Sequence, residues 1–165
     1  ISLRAPISIG LNSYAWYSIN FENSIDRWID TDEAINAKNI IINDILLHLK
    51  DLDFTSERVS LLGFSQGAIL SWSIGMEYPN LIKNILPLSG FYHSEITKNN
   101  LNHKFRLNSF SSHGINDQVI PVDWARRGIQ SLSKYNINIE FKEYESGHEI
   151  NNENLRDVIK WLVKN

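Results

Sequence analysis

The chain has 165 residues, the size of one ordinary domain, and a composition of 42% hydrophobic and 11% aromatic residues is enough to build a core. A formal charge of −3 and a pI near 5.9, with no dense Lys/Arg run, give no general attraction for nucleic acid. The absence of cysteine excludes disulfides and thiolate chemistry, and no stretch reads as a transmembrane span.

In chain order, Leu11, Tyr14, Trp16 and Tyr17 come first, on an aromatic-rich connection. Asp30, with Glu33 three residues later, is placed to cap a helix whose apolar face takes in Ile35, Ile41, Ile42, Ile45, Leu46, Leu49 and Leu52. That helix reads as packing alone. Glu57 to Leu62 reads as a short strand and Gln66 to Tyr78 as a helix that Pro79 stops.

Between those two elements stands Gly63-Phe64-Ser65-Gln66-Gly67. A strand turning abruptly into a helix holds the central serine in a strained conformation, and the flanking glycines leave room for the turn. The Ser65 hydroxyl is then exposed at the carboxyl edge of a sheet, with the N–H of Gln66 aimed at the place where a substrate oxyanion forms. The bland alternative is an ordinary strand-to-helix turn.

Lys83 to Leu88 leads into Leu88-Ser89-Gly90, although Pro87 weighs against a central strand because it cannot donate a ladder bond. A polar connection runs from Ser94 to Lys104. The next strand, near Phe105 to Ser112, alternates poorly. It leads into Ser111 to Pro121, which places Asp117 on a loop; Asp123 reads as a first-turn helix residue after Pro121. The alternating run Ile137, Ile139, Phe141 leads into Ser146-Gly147-His148-Glu149, and Asn151 to Lys164 closes the chain as an amphipathic helix with Leu155, Val158, Ile159 and Leu162.

A serine hydroxyl is a poor nucleophile at neutral pH and needs a histidine base oriented by an acid. Asp117 and His148 follow Ser65 in that order, each on a loop after a strand, and the intervening segments are long enough for crossover units that return to the same edge. Of the other histidines, His48 lies within a helix, His93 and His103 lie in the polar connection, and His113 precedes the acid as a supporting or packing residue. The alternating units give a mostly parallel sheet covered by helices on both faces. No internal repeat or linker divides the chain, so residues 1–165 are expected to form one domain.

With these residues in place the chain resembles the α/β-hydrolase fold, and within it the phospholipase/carboxylesterase family that includes the acyl-protein thioesterases. The resemblance rests on Gly63 to Gly67, on Arg4-Ala5-Pro6 followed by Trp16-Tyr17, on Leu88-Ser89-Gly90, on His113-Gly114-x-x-Asp117 with Val119-Ile120-Pro121, and on Gly147-His148. It runs over nearly the whole chain. It implies an amino-terminally truncated form, since Ile1 falls in the equivalent of the fourth strand and no His-Gly oxyanion loop precedes it. Three explanations are open: a natural amino terminus lost from the chain, which is favoured, a strand supplied by another polypeptide, or direct pairing of the first strand with the strand before Ser65.

The activity implied is hydrolysis of carboxylic esters, with thioesters and lysophospholipids as further substrates, through an acyl-serine intermediate. The catalytic residues are then Ser65, Asp117 and His148, with the Gln66 N–H in the oxyanion hole and Trp16, Tyr17, Phe64 and Phe91 as walls of an acyl pocket. The expected partner is a small-molecule ester or thioester; no metal or organic cofactor is required, and the Trp-containing loops leave a homodimer open. The expected location is cytoplasmic. A noncatalytic acyl-ligand-binding module with an incomplete oxyanion hole is the alternative, and a peptidase a weaker third.

Overall fold

A computed structural model describes residues 1–19, 29–52, 59–97, 107–135 and 137–165, with side chains in the first helix described as far as residue 48. The backbone falls into two compact units, Ile1–Thr55 and Ser56–Asn165.

In the first unit, strands β1 (Ile7–Gly10) and β2 (Ser13–Ala15) form an antiparallel hairpin. Asn12 makes its turn at φ 58°, the left-handed conformation that asparagine tolerates better than most residues. Helix α1 (Thr31–Leu52) starts as its sequence requires, with the Glu33 N–H donating to Asp30 Oδ1 at 3.0 Å. The Glu33 carboxylate accepts from the Ser18 N–H at 2.6 Å, tying the helix start to the chain after β2. The buried face runs through Ala34, Ala37, Lys38, Ile41 and Ile42, so Leu46, assigned to it from sequence, is exposed at 48%. Leu49 and Leu52 lie outside the described side chains. The first strand pairs with β2.

The second unit is a parallel sheet in the order β3 (Ser60–Phe64), β4 (Asn84–Leu88), β5 (Asn108–Gly114), β6 (Asn138–Tyr144). Between the strands run helices α2 (Gln66–Glu77) and α3 (Val122–Leu132), and α4 (Asn152–Lys164) closes the chain. Helix α2 is apolar on nearly every side and is buried from Ala68 to Met76, as befits a helix enclosed by its surroundings. At Gly75 a Cβ would come within 2.8 Å of Ile85 Cγ2, so α2 lies on the sheet face that Ile85 presents. Leu86, Leu88 and Phe110 cluster instead with Val158 and Trp161 of α4. Neighbours along β4 point to opposite faces, so α2 and α4 cover opposite sides of the sheet.

Two sequence expectations, at Pro87 and in the closing helix, need correction. Pro87 sits inside the central strand β4: Ser89 donates to the Ser112 carbonyl, so the odd-numbered residues of β4 face β5 and the missing Pro87 donor costs one bond on that side. The Ser111 hydroxyl donates to the Pro87 carbonyl at 3.1 Å, which keeps the acceptor satisfied. Strand β5 is buried from Ser109 to Gly114, and this two-faced burial is why it shows no alternation. Phe105, where that strand was expected to start, lies outside the described residues. Helix α4 turns Asn154, Val158 and Trp161 inward and leaves Leu155, Ile159 and Leu162 at 47%, 53% and 37% exposure. No helix among the described residues is long and apolar enough to cross a membrane.

Candidate active site

The carboxyl ends of β3, β5 and β6 carry Ser65, Asp117 and His148. Ser65 holds φ 53° and ψ −116°, a region sparsely used by any residue but glycine. Both sides of the turn hold it: the Ser65 N–H donates to the Leu88 carbonyl at 3.0 Å, and its carbonyl accepts from Ala68 and Ile69. Gly63 is required here, because a Cβ would collide with the Gly67 carbonyl and lie 2.6 Å from Ser71 Oγ. Gly67 is not required on that ground, since a Cβ there would meet nothing within 4 Å. Gln66, the first residue of α2, sets its N–H at the positive end of the helix beside Ser65.

The loops after β5 and β6 are laced together. Ile115 donates to the Tyr144 carbonyl at 2.9 Å and Asn116 to the Ser146 carbonyl at 3.0 Å. Gly114 permits this approach, for a Cβ on it would stand 2.5 Å from the Ser146 carbonyl oxygen. His148 is thereby delivered to both partners, with Nδ1 2.7 Å from Asp117 Oδ2 and Nε2 2.9 Å from Ser65 Oγ. A carboxylate can only accept, so Nδ1 carries the proton and Nε2 is left to accept from the serine hydroxyl.

Asp117 is buried, and its side chain has no exposed surface. Burial alone would raise its pKa, but donors from His113 and His148 and the amides of Ile120 and Val119 outweigh that and hold the carboxyl well below the usual range. The two amides reach Oδ1 at 2.9 and 2.8 Å, leaving Oδ2 for the histidines. His113, wholly buried, approaches Oδ2 at 3.3 Å.

Of the four aromatic residues expected to wall an acyl pocket, Tyr17 and Phe91 expose no surface. Burial pushes the Tyr17 hydroxyl up, and Phe91 packs edge-on against Trp124 at 5.3 Å between centroids. Trp16 is half-buried in the first unit. Phe64 is 36% exposed, with its ring 4.9 Å from the His148 imidazole, a contact that sequence reasoning did not anticipate. His48 is accounted for inside α1 by the Asp44 carbonyl at 2.7 Å, and His103 lies outside the described residues. No cluster of metal-ligating side chains occurs among the described residues.

A parallel sheet flanked by helices, with a strained serine between β3 and α2 and an acid and a histidine on later loops of the same edge, defines the class as an α/β hydrolase. The Phospholipase/Carboxylesterase family model matches residues 4–165, and the chain belongs to that family and is a hydrolase. Acyl-protein thioesterase 1 of Kluyveromyces lactis is 26% identical over 171 residues, covering 99% of this chain and 74% of that protein. A probable carboxylesterase, SOBER1-like, of Arabidopsis thaliana is 31% identical over 109 residues, covering 64% of this chain and 42% of the relative. The crystal structure of Arabidopsis thaliana SOBER1 superposes with a TM-score of 0.80 at 21% identity, covering 98% of this chain and 80% of the other, a likeness of fold.

Proposed function

We propose that this chain hydrolyses carboxylic esters and thioesters through an acyl-serine intermediate, with Ser65 as nucleophile, His148 as base and Asp117 as the acid that orients it. The observation that carries this reading is the continuous run Ser65 Oγ, His148 Nε2, His148 Nδ1, Asp117 Oδ2, with contacts of 2.9 and 2.7 Å. Relatives named as a thioesterase and a carboxylesterase support the choice of acyl bond.

In the first half of the reaction Ser65 Oγ attacks the carbonyl carbon while His148 Nε2 takes its proton, and Asp117 stabilises the imidazolium that forms. The Gln66 N–H offers a donor to the oxyanion. The tetrahedral species then expels the alcohol or thiol, which leaves with the proton held by His148. Water, giving its proton to the same nitrogen, attacks the acyl-serine; the acid departs and Ser65 is restored. Phe64, exposed beside His148, is the aromatic residue best placed to touch the acyl chain. Lysophospholipids, which present a single-chain ester, belong to the same substrate class.

The test is covalent labelling with a fluorophosphonate probe, read by intact mass, on the parent chain and on Ser65→Ala and His148→Ala. One adduct on the parent, absent in Ser65→Ala and greatly slowed in His148→Ala, is expected. Turnover of matched ester, thioester and lysophospholipid series then ranks the acyl bonds. A folded parent that neither labels nor turns over any of them overturns the hydrolytic reading in favour of a noncatalytic acyl-binding module.

A further inference from the structure

We infer that His113 is a positioning residue for Asp117, acting as a fixed donor beside Oδ2 of the acid's carboxylate; this rests on the triad reading above. His113 has no exposed surface, and its Nε2 lies 2.8 Å from the Ile120 carbonyl oxygen. A carbonyl oxygen only accepts, so Nε2 must carry the proton. The same nitrogen lies 3.3 Å from Asp117 Oδ2, a longer polar contact beside its bond to Ile120. Nδ1, on the far side of the ring, is buried without a hydrogen-bond partner among the described residues, so the tautomer with its proton on Nε2 is the one the surroundings accommodate.

The placement explains why one histidine does two jobs. Asp117 stands on a short turn, its N–H donating to the Gly114 carbonyl at 3.2 Å. Amides of Val119 and Ile120 hold Oδ1 and His148 Nδ1 meets Oδ2, but among the described residues Oδ2 has no neighbour besides His148 that is itself fixed in the core except His113. A buried donor beside Oδ2 steadies that oxygen when the histidine on its other side takes up a proton, and leaves a lone pair directed at His148 Nδ1. By holding the Ile120 carbonyl as well, His113 ties the far end of the 114–120 loop back to β5.

The tautomer is measured on the parent chain by long-range proton–nitrogen NMR of the imidazoles. A His113 protonated at Nε2 and bare at Nδ1 is expected; the opposite tautomer overturns the inference. His113→Leu, which keeps bulk and removes the donor, should lower kcat by about 10- to 100-fold, the effect of one hydrogen bond to a charged group. Its KM should stay within about twofold, because ground-state binding is untouched. The far-downfield Nδ1–H resonance of His148 should move upfield or broaden. His113→Gln, whose terminal amide presents a donor near the same place, should keep kcat within about threefold of the parent.

A folded His113→Leu with parental kcat and an unmoved resonance overturns the inference. Should the leucine variant not fold, a glutamine variant as impaired as predicted for leucine does the same. A parent with the expected tautomer and downfield proton that fails to label with the fluorophosphonate overturns the hydrolase reading and leaves the positioning of Asp117 intact.

Discussion

The two ends of the parallel sheet are both polar, and they use polarity in opposite ways. At the amino end, Ser60, Asn84, Asn108 and Asn138 stand opposite one another in register. Their side chains bond in one direction, Asn138 to Asn108 at 3.2 Å, Asn108 to Asn84 at 3.4 Å and Asn84 to the Ser60 hydroxyl at 3.1 Å. All are neutral, and equal side chains meet at equal heights, so a slip of any strand would break the ladder. At the carboxyl end the contacting groups are all different, one is charged, and the serine backbone is strained. The amino end spends its hydrogen bonds on register, whereas the carboxyl end holds unlike groups that the proposed reaction would change.

The sharpest way to separate the two ends is Asp117→Asn. The Val119 and Ile120 amides need an acceptor, so the asparagine must present its carbonyl to them and its NH2 to His148. Nδ1 is then forced to accept, Nε2 to carry the proton, and the base can no longer take one from Ser65. We expect kcat to fall by about 10⁴-fold, as such tautomer reversal does elsewhere, measured with a chromogenic short-chain ester at pH 7.5. A loss below tenfold would break the proposed role of Asp117.

Next in size is a pair of glycine substitutions in one turn. Gly63→Ala drives a methyl into the Gly67 carbonyl and Ser71 and should cost about 2–4 kcal/mol by urea unfolding. Gly67→Ala places a methyl in open space within a helix and should be neutral or stabilising by about 0.5–1 kcal/mol. Equal losses at both positions would show that the turn constrains them alike.

At the opposite end, Asn108→Ala removes one donor and one acceptor from the middle of the ladder. It should cost about 1–2 kcal/mol of stability with kcat/KM unchanged within about twofold. A rate loss matching the Asp117 variant would mean that the two ends are not separable.

The carboxyl end was far more legible from sequence than the amino end. The strained turn at Ser65 could be read because an abrupt strand-to-helix turn restricts residue type at Gly63, and the placement of Asp117 and His148 because each follows a strand on a loop with a nearby glycine. Chain order and crossover length were enough to bring them to one edge. The asparagine ladder carried a signal too, an Asn at the first position of β4, β5 and β6, but its meaning depends on register, which no local pattern contains. Strand β5 was hidden by buried Ser109, Ser111 and Ser112, polar residues where a core strand should look apolar. Helix α4 misled because Leu155, Ile159 and Leu162 suggest one apolar face, whereas the buried side carries Asn154, Val158 and Trp161. Tyr17 and Phe91 were chosen for aromatic character, whereas their availability to a ligand depends on packing.

The smallest effect is also the one that joins the two ends, because it reads the reactive carboxyl end through stability. Asp117 has its carboxyl depressed below the ordinary value of 3.8, so the folded chain binds a proton at this site less readily than the unfolded chain does. The contribution is therefore fully present above the unfolded pKa and is lost as pH falls through that value toward the folded one. In Asp117→Asn there is no such proton to bind. Stability measured by urea unfolding from pH 7 down to pH 2 should fall more gently below pH 4 in the variant than in the parent, while above pH 5 the two curves run parallel with the parent higher. Asn108→Ala, which changes no titrating group, should instead displace the parental curve downward by the same amount at every pH. A parental slope in Asp117→Asn would mean that other carboxylates account for the acid sensitivity, and that the four donors around Asp117 organise the site without favouring its charge.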